Sequence, residues 1–383
     1  MVFENLLYNS NEGGDLILKL CITIIVLVLV FALILSVCGT VLLVFATQPP
    51  KVEIAITGTP VDNSYNNYLA CGQLVRIDDK IYYSYRSDVF SYGLIEITEN
   101  GFRRLFWDGE LPFLSLSLAI SRSIHQYDGQ LILEWHSQMK YYSSVDGTFS
   151  ENGALNIVQE NSILFQETDR WLVYKPDTWD NFGMLKDLYI YEKESKELII
   201  GPKVKWFYTV YDDVYYSVRK DNYTTELRKY NITDKTDIPV CTINGYDFSF
   251  FMVEDGWLIF SARLNDSTES VYKIDLNSSE KAVELIYAGN ENVRHSHLFD
   301  ILNWNVYNNT VYIATQSGLL AYNLVTGNST LLYDKFVNSC AILDDTWVYF
   351  IDEKERLWRV AQSGTSTELV FNNYYTFAWG MFE

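Results

Sequence analysis

The side chains whose types and spacing could do chemistry are three arginines that end the same strand pattern. The segments are Tyr82-Tyr83-Ser84-Tyr85-Arg86, Tyr215-Tyr216-Ser217-Val218-Arg219 and Ile259-Phe260-Ser261-Ala262-Arg263. Equal phase in equivalent strands of a repeat would put Arg86, Arg219 and Arg263 at one height and one end of the molecule. A guanidinium offers a planar fork of donors that matches carboxylate, sulfate or phosphate, so such a set would select an anionic ligand. The competing reading makes each arginine repeat heritage, paired with acids in an adjoining loop. Loops expected at the same end carry Trp107, Trp135, Trp179 and Phe182, the last two within an enlarged insertion from Pro176 to Lys186. Loop aromatics can stack on sugar rings or anchor a protein partner, and equally can cap hydrophobic interfaces.

Other chemistry is sparse. The sequence has no Gly-x-Ser-x-Gly elbow, His-Glu-x-x-His pair, phosphate-binding glycine loop or calcium-loop signature. Of the four histidines, only His295 and His297 would share a strand face, and nothing points to the further ligands that a metal needs. No metal and no cofactor is therefore expected. A glycosidase requires two carboxylates facing across a pocket. Asp108, Glu110 and Glu134 fall near expected loops, but among 49 acids no pair stands out and no catalytic residue is assigned.

These side chains need a repeating frame, and residues 71–371 supply one in seven copies. Each begins with a polar turn and an apolar or aromatic strand. Examples are Asp78-Asp79-Lys80-Ile81-Tyr82-Tyr83, Asp128-Gly129-Gln130-Leu131-Ile132-Leu133, Asp255-Gly256-Trp257-Leu258-Ile259-Phe260 and Asp344-Asp345-Thr346-Trp347-Val348-Tyr349. A further strand, a polar turn and a short closing strand follow, as in Leu319-Leu320-Ala321-Tyr322, Thr326-Gly327-Asn328-Ser329 and Leu331-Leu332-Tyr333. The mean spacing of roughly 44 residues matches four-stranded propeller blades. The fold expected is all-β, a β-propeller over residues 66–383, with seven blades and six or eight as alternatives. Blades bury too little alone and must pack face to face, which accounts for the many aromatic residues. Val52–Thr57 and Tyr374–Phe382 read as lone strands whose pairing would close the ring.

In these repeats the chain resembles the YWTD-type propellers of the low-density-lipoprotein-receptor-related class, particularly membrane-anchored bacterial proteins with such a domain. The similarity covers about residues 66 to 383 and lies in the repeat pattern. The tetrapeptide itself is absent, its nearest counterparts being the Ile-Tyr-Tyr-Ser and Val-Tyr-Tyr-Ser strands. The resemblance implies a propeller and a binding role, and names no ligand.

Ahead of the repeats, residues 20–46 contain no charged side chain. As a helix they would reach about 40 Å, more than the roughly 30 Å hydrocarbon core of a bilayer. A transmembrane helix is expected there, after a leader at 1–19 and before a linker at 47–65 that starts with Pro49-Pro50. Val44-Phe45-Ala46 also resembles a cleavage site, but the apolar run is long for a signal peptide and its leader carries Glu4, Glu12 and Asp15. A short leader and a large following domain point to a signal anchor that places the propeller outside the cell.

The formal net charge of −20 disfavours nucleic acid and anionic lipid headgroups as partners. Cys71, Cys241 and Cys340 cannot all pair within the chain and read as small buried hydrophobes. The leading expectation is a single-pass surface protein whose propeller binds a protein or glycan ligand. The alternatives are a membrane-tethered carbohydrate-active enzyme using the central pocket, and a structural spacer.

Overall fold

The computed structural model describes residues 30, 55–61, 63, 65–67, 72–86, 92–99, 101–107, 124–135, 138–143, 148–150, 163–176, 185–221, 224–244, 250–262, 269–289 and 301–372. They contain seven four-stranded sheets, each an antiparallel meander of four consecutive strands. Blade 1 spans Leu74–Trp107, blade 2 Ile124–Ser150, blade 3 Ile163–Val204 and blade 4 Phe207–Asn244. Blade 5 spans Phe250–Tyr287, blade 6 Ile301–Tyr333 and blade 7 Val337–Phe371. The chain is a seven-bladed β-propeller.

The burial pattern follows from a sheet sandwiched between two others. Second strands are covered on both faces, so Trp347–Asp352 of blade 7 is buried at every residue and reads as a continuous apolar run. Fourth strands lie at the rim, and Ser329–Tyr333 of blade 6 is mostly exposed. The tight turn between first and second strands repeatedly takes a residue into the left-handed region: Asp78, Asp128, Asp255 and Asn308 have φ of 53°, 48°, 46° and 49°. Asp and Asn tolerate that conformation, which is why the turns were legible as sequence.

Among the described residues the ring closes by packing between blades 1 and 7; the expected pairing of terminal strands falls on residues outside them. Blades 1 and 7 each have four strands of their own. Residues 55–57 form no strand, and 52–54 and 374–382 lie outside the described residues. Leu74, Ile81, Tyr83 and Tyr85 of blade 1 share a core with Tyr349, Leu357 and Phe371 of blade 7. The Phe371 ring lies 5.6 Å from that of Tyr85 and 6.1 Å from that of Tyr83. An aromatic seam of this kind hides both sheet faces without exchanging an edge.

A strap from Ala55 to Val61 is laid over the same seam. Arg359 donates to the Ala55 carbonyl at 3.0 Å, Trp347 Nε1 to Thr57 Oγ1 at 2.9 Å, and Arg76 to the Gly58 carbonyl at 3.1 Å. Pro60 forms a bridge with Asp344. Gly58 is required here, because its φ is +90° and a Cβ would stand 2.7 Å from the Asp344 carboxylate. The stretch read as linker is thus partly packed on the propeller, and the compact unit spans Val52–Asn373.

Of the run expected to cross a membrane, only Val30 is described, and it is helical. Among the described residues no helix is long and apolar enough to span a bilayer.

Candidate functional site

Because every blade repeats the same meander, equivalent strand ends share one end of the propeller. First strands run toward the tight polar turns, and second strands run away from them to the opposite, loop end. Arg86 and Arg219 are the last residues of seven-residue second strands, Lys80–Arg86 and Asp213–Arg219. In the backbone ladder they face Tyr92 and Thr225. Blade 5 has the same frame: its second strand is Trp257–Ala262, so Arg263 is the next residue, just outside the described ones. Trp107 ends the fourth strand of blade 1 and Trp135 the second strand of blade 2, so both stand at the loop end. Trp179 and Phe182 lie outside the described residues, between Pro176 and Lys186, which end and begin strands at that same end.

The three arginine positions do not converge. In a ring of seven, blade 1 lies opposite blades 4 and 5, with the channel between them. The Arg219 side chain is exposed and its Nε donates to the Asp221 carbonyl at 3.1 Å. In blade 7 the second strand, Trp347–Asp352, ends on Asp352, one position short of the arginine level, where it accepts from Arg356 Nε at 2.6 Å and Trp358 Nε1 at 3.0 Å.

The turn end of the channel is stoppered, which the sequence did not disclose. The helical turn at 65–67, with Asn63, is buried against the first strands of blades 4, 6 and 7. A chain of hydrogen bonds crosses from blade 4 to blade 7. Tyr208 Oη donates to Asn66 Oδ1 at 2.7 Å, and Asn66 Nδ2 to Asn63 Oδ1 at 2.6 Å. Asn63 Nδ2 donates to Asn305 Oδ1 at 3.2 Å, and Asn305 Nδ2 to Asn67 Oδ1 at 2.9 Å. Asn67 then brackets the Ile342 backbone, donating to its carbonyl at 2.6 Å and accepting from its N–H at 2.8 Å. Tyr65 adds a hydroxyl bond to the Phe207 carbonyl at 2.8 Å and a ring stack on Phe207. An amide is suited to this place because it offers donors and acceptors without a charge to desolvate. In sequence the same residues look like a polar linker, since three residues of helix leave no periodicity.

Among the described residues, the seven first strands contain only two acids, Glu167 and Glu254, each the last residue of its strand and so at the stoppered end. Glu167 is paired with Lys193. Glu254 accepts the Asn308 N–H at 3.0 Å, and burial together with neighbouring Asp255 pushes its carboxyl up. Among the described residues the bodies of the first strands therefore carry no carboxylate pair. The described residues also hold no cluster of His, Cys, Asp or Glu able to take a metal, and His295 and His297 lie outside them. Cys340 is buried, and Cys241 is half-buried with its thiol pushed up to about 11 by burial.

A buried electrostatic centre lies under the strap. One Asp344 carboxylate oxygen accepts the Thr346 and Trp347 N–H groups at 3.0 and 2.8 Å; the other takes Tyr349 Oη at 3.0 Å and Arg76 at 3.2 Å. Burial raises the Asp344 carboxyl, while these donors pull it back. All the partners of its carboxylate belong to blades 1 and 7, so this aspartate clamps the seam.

No family model matches the chain, and no curated protein sequence matches it. Solved structures do. Puromycin hydrolase superposes with a TM-score of 0.51 at 8% identity, over 82% of this chain and 57% of that one. The extracellular domain of BT4673 from B. thetaiotaomicron gives a TM-score of 0.50 at 15% identity, over 82% of this chain and 41% of that one. The chain therefore spans about half the length of the structures it resembles. At these identities the likeness is one of propeller fold alone.

Proposed function

We propose that this propeller is a binding module, and that it receives an extended anionic partner, such as an acidic glycan strand, across its loop end. The observation that carries the reading is the identical strand position of Arg86 and Arg219, continued in register by Arg263, on opposite sides of the ring. Closure of the opposite channel mouth by Asn63, Asn66 and Asn67 leaves the loop end as the working face. Trp107, Trp135, Trp179 and Phe182 would supply stacking surface beside the charges. A binding role accords better with the inner strands than glycoside hydrolysis does, because their two acids sit apart from the loop end. Puromycin hydrolase is by its name an enzyme, but this chain spans only 57% of it.

In the same reading residues 20–46 anchor the chain as a single transmembrane helix with the propeller outside the cell. Calorimetric titration of the purified full-length chain with polygalacturonate, against neutral dextran as control, tests the ligand class. Heat from polygalacturonate alone, weakening as salt rises, is the expected result; equal responses to both polymers, or none, contradict it. Protease added to intact expressing cells should remove the propeller, and its protection would contradict the outward placement.

A further inference from the structure

At the turn end, blade 4 departs from its neighbours in a way that packing does not explain. Where other blades place Asp78, Asp128, Asp255 or Asn308 at the left-handed turn position, blade 4 places Tyr211, with φ of 55°. Asp and Asn tolerate this conformation, whereas for a bulky residue it is a strained outlier. The tyrosine gains no burial in return, being 84% exposed. A strained backbone carrying an unpacked aromatic ring signals a use for that ring.

Tyr211 rims a cleft of about 620 Å³ between blades 4 and 5. Tyr215 and Leu276 give it an apolar wall, and Glu254, Asp255, Asn277 and Lys281 give it polar groups. The charges are already engaged. Lys229, also in the lining, pairs with Asp213 at 3.0 Å, and Lys281 Nζ donates to the Leu276 carbonyl at 2.6 Å. Asp255 accepts from Asn309 Nδ2 at 3.2 Å. With its charged groups already held by neighbours, the cleft still keeps acceptors and an amide beside an aromatic face. That combination suits a ring with an apolar flank and several hydroxyls. The volume lies within the range of small-ligand sites.

We infer that the cleft between blades 4 and 5 is a second binding site, for a neutral sugar, with Tyr211 as the stacking platform. It lies at the end opposite the arginine strand ends and does not depend on them.

Titrating the purified full-length chain with maltotetraose, cellotetraose and chitotetraose, read by calorimetry and by saturation transfer to the sugar protons, tests it. At least one should bind at millimolar concentration. Tyr211→Asn restores the residue type that the turn favours, so it should weaken that sugar about tenfold while leaving the unfolding midpoint unchanged or higher. The combined Arg86, Arg219 and Arg263 to Ala variant should bind the sugar as the unaltered chain does. Silence with all three sugars, sugar binding that survives Tyr211→Asn, or a lowered midpoint in that variant would each overturn the inference.

Discussion

Asn67 ties the most structure together with the fewest atoms. Its amide makes three hydrogen bonds, two to the Ile342 backbone and one to Asn305, all of them buried. Replacement by Ala would leave these groups in a cavity without water-like partners, so Asn67→Ala should lose about 2–4 kcal/mol in denaturant unfolding at an unchanged slope. A loss below about 0.5 kcal/mol would mean that the amide network is incidental. Asp352 gives a prediction in pH. Burial favours its neutral form, but donors from Arg356, Lys354 and Trp358 outweigh burial and hold the carboxyl below its ordinary value. A depressed folded value stabilises the protein above the unfolded value of about 3.9 and is lost as the pH falls through the folded one. The stability gap between the unaltered chain and Asp352→Asn should therefore be full at neutral pH and shrink below about pH 4; a gap that persists in acid would contradict the pairing.

At the scale of elements, the turns and second strands were readable because two chemical requirements coincide there. The tight turn wants Asp, Asn or Gly at positive φ, and the following strand wants apolar residues on both faces. The strap and stopper were not readable, because Asn63, Asn66 and Asn67 become core residues only through partners 142 to 275 positions away in sequence. The expected pairing of terminal strands lies on residues outside the described ones, 52–54 and 374–382, whereas the seam of Tyr83, Tyr85 and Phe371 joins blades that each hold four strands of their own. Removal of the first 67 residues should consequently preserve the β-sheet circular dichroism while lowering the unfolding midpoint by about 5–10 °C. Loss of the β signal would show that the ring depends on an exchanged terminal strand after all.

For the whole molecule, one fold presents two unlike ends. The turn end is stoppered by neutral amides and clamped by Asp344 and Arg76 across the seam. The loop end receives the strand ends at Arg86, Trp107, Trp135 and Arg219, with Arg263, Trp179 and Phe182 following strands that run to it. The phase of the arginines could be read from sequence, since each is the seventh residue from its strand start. Their separation around the ring follows from the order of the blades, first, fourth and fifth of seven, and it is what makes the proposed anionic ligand an extended one. The most direct measurement is the thermal unfolding of the full-length chain with and without polygalacturonate, repeated after Arg86, Arg219 and Arg263 are all replaced by Ala. Stabilisation of the unaltered chain that disappears in the triple variant, with the ligand-free midpoint retained, is the result predicted. Stabilisation that survives the triple replacement, or none in either protein, would contradict an arginine-lined binding face.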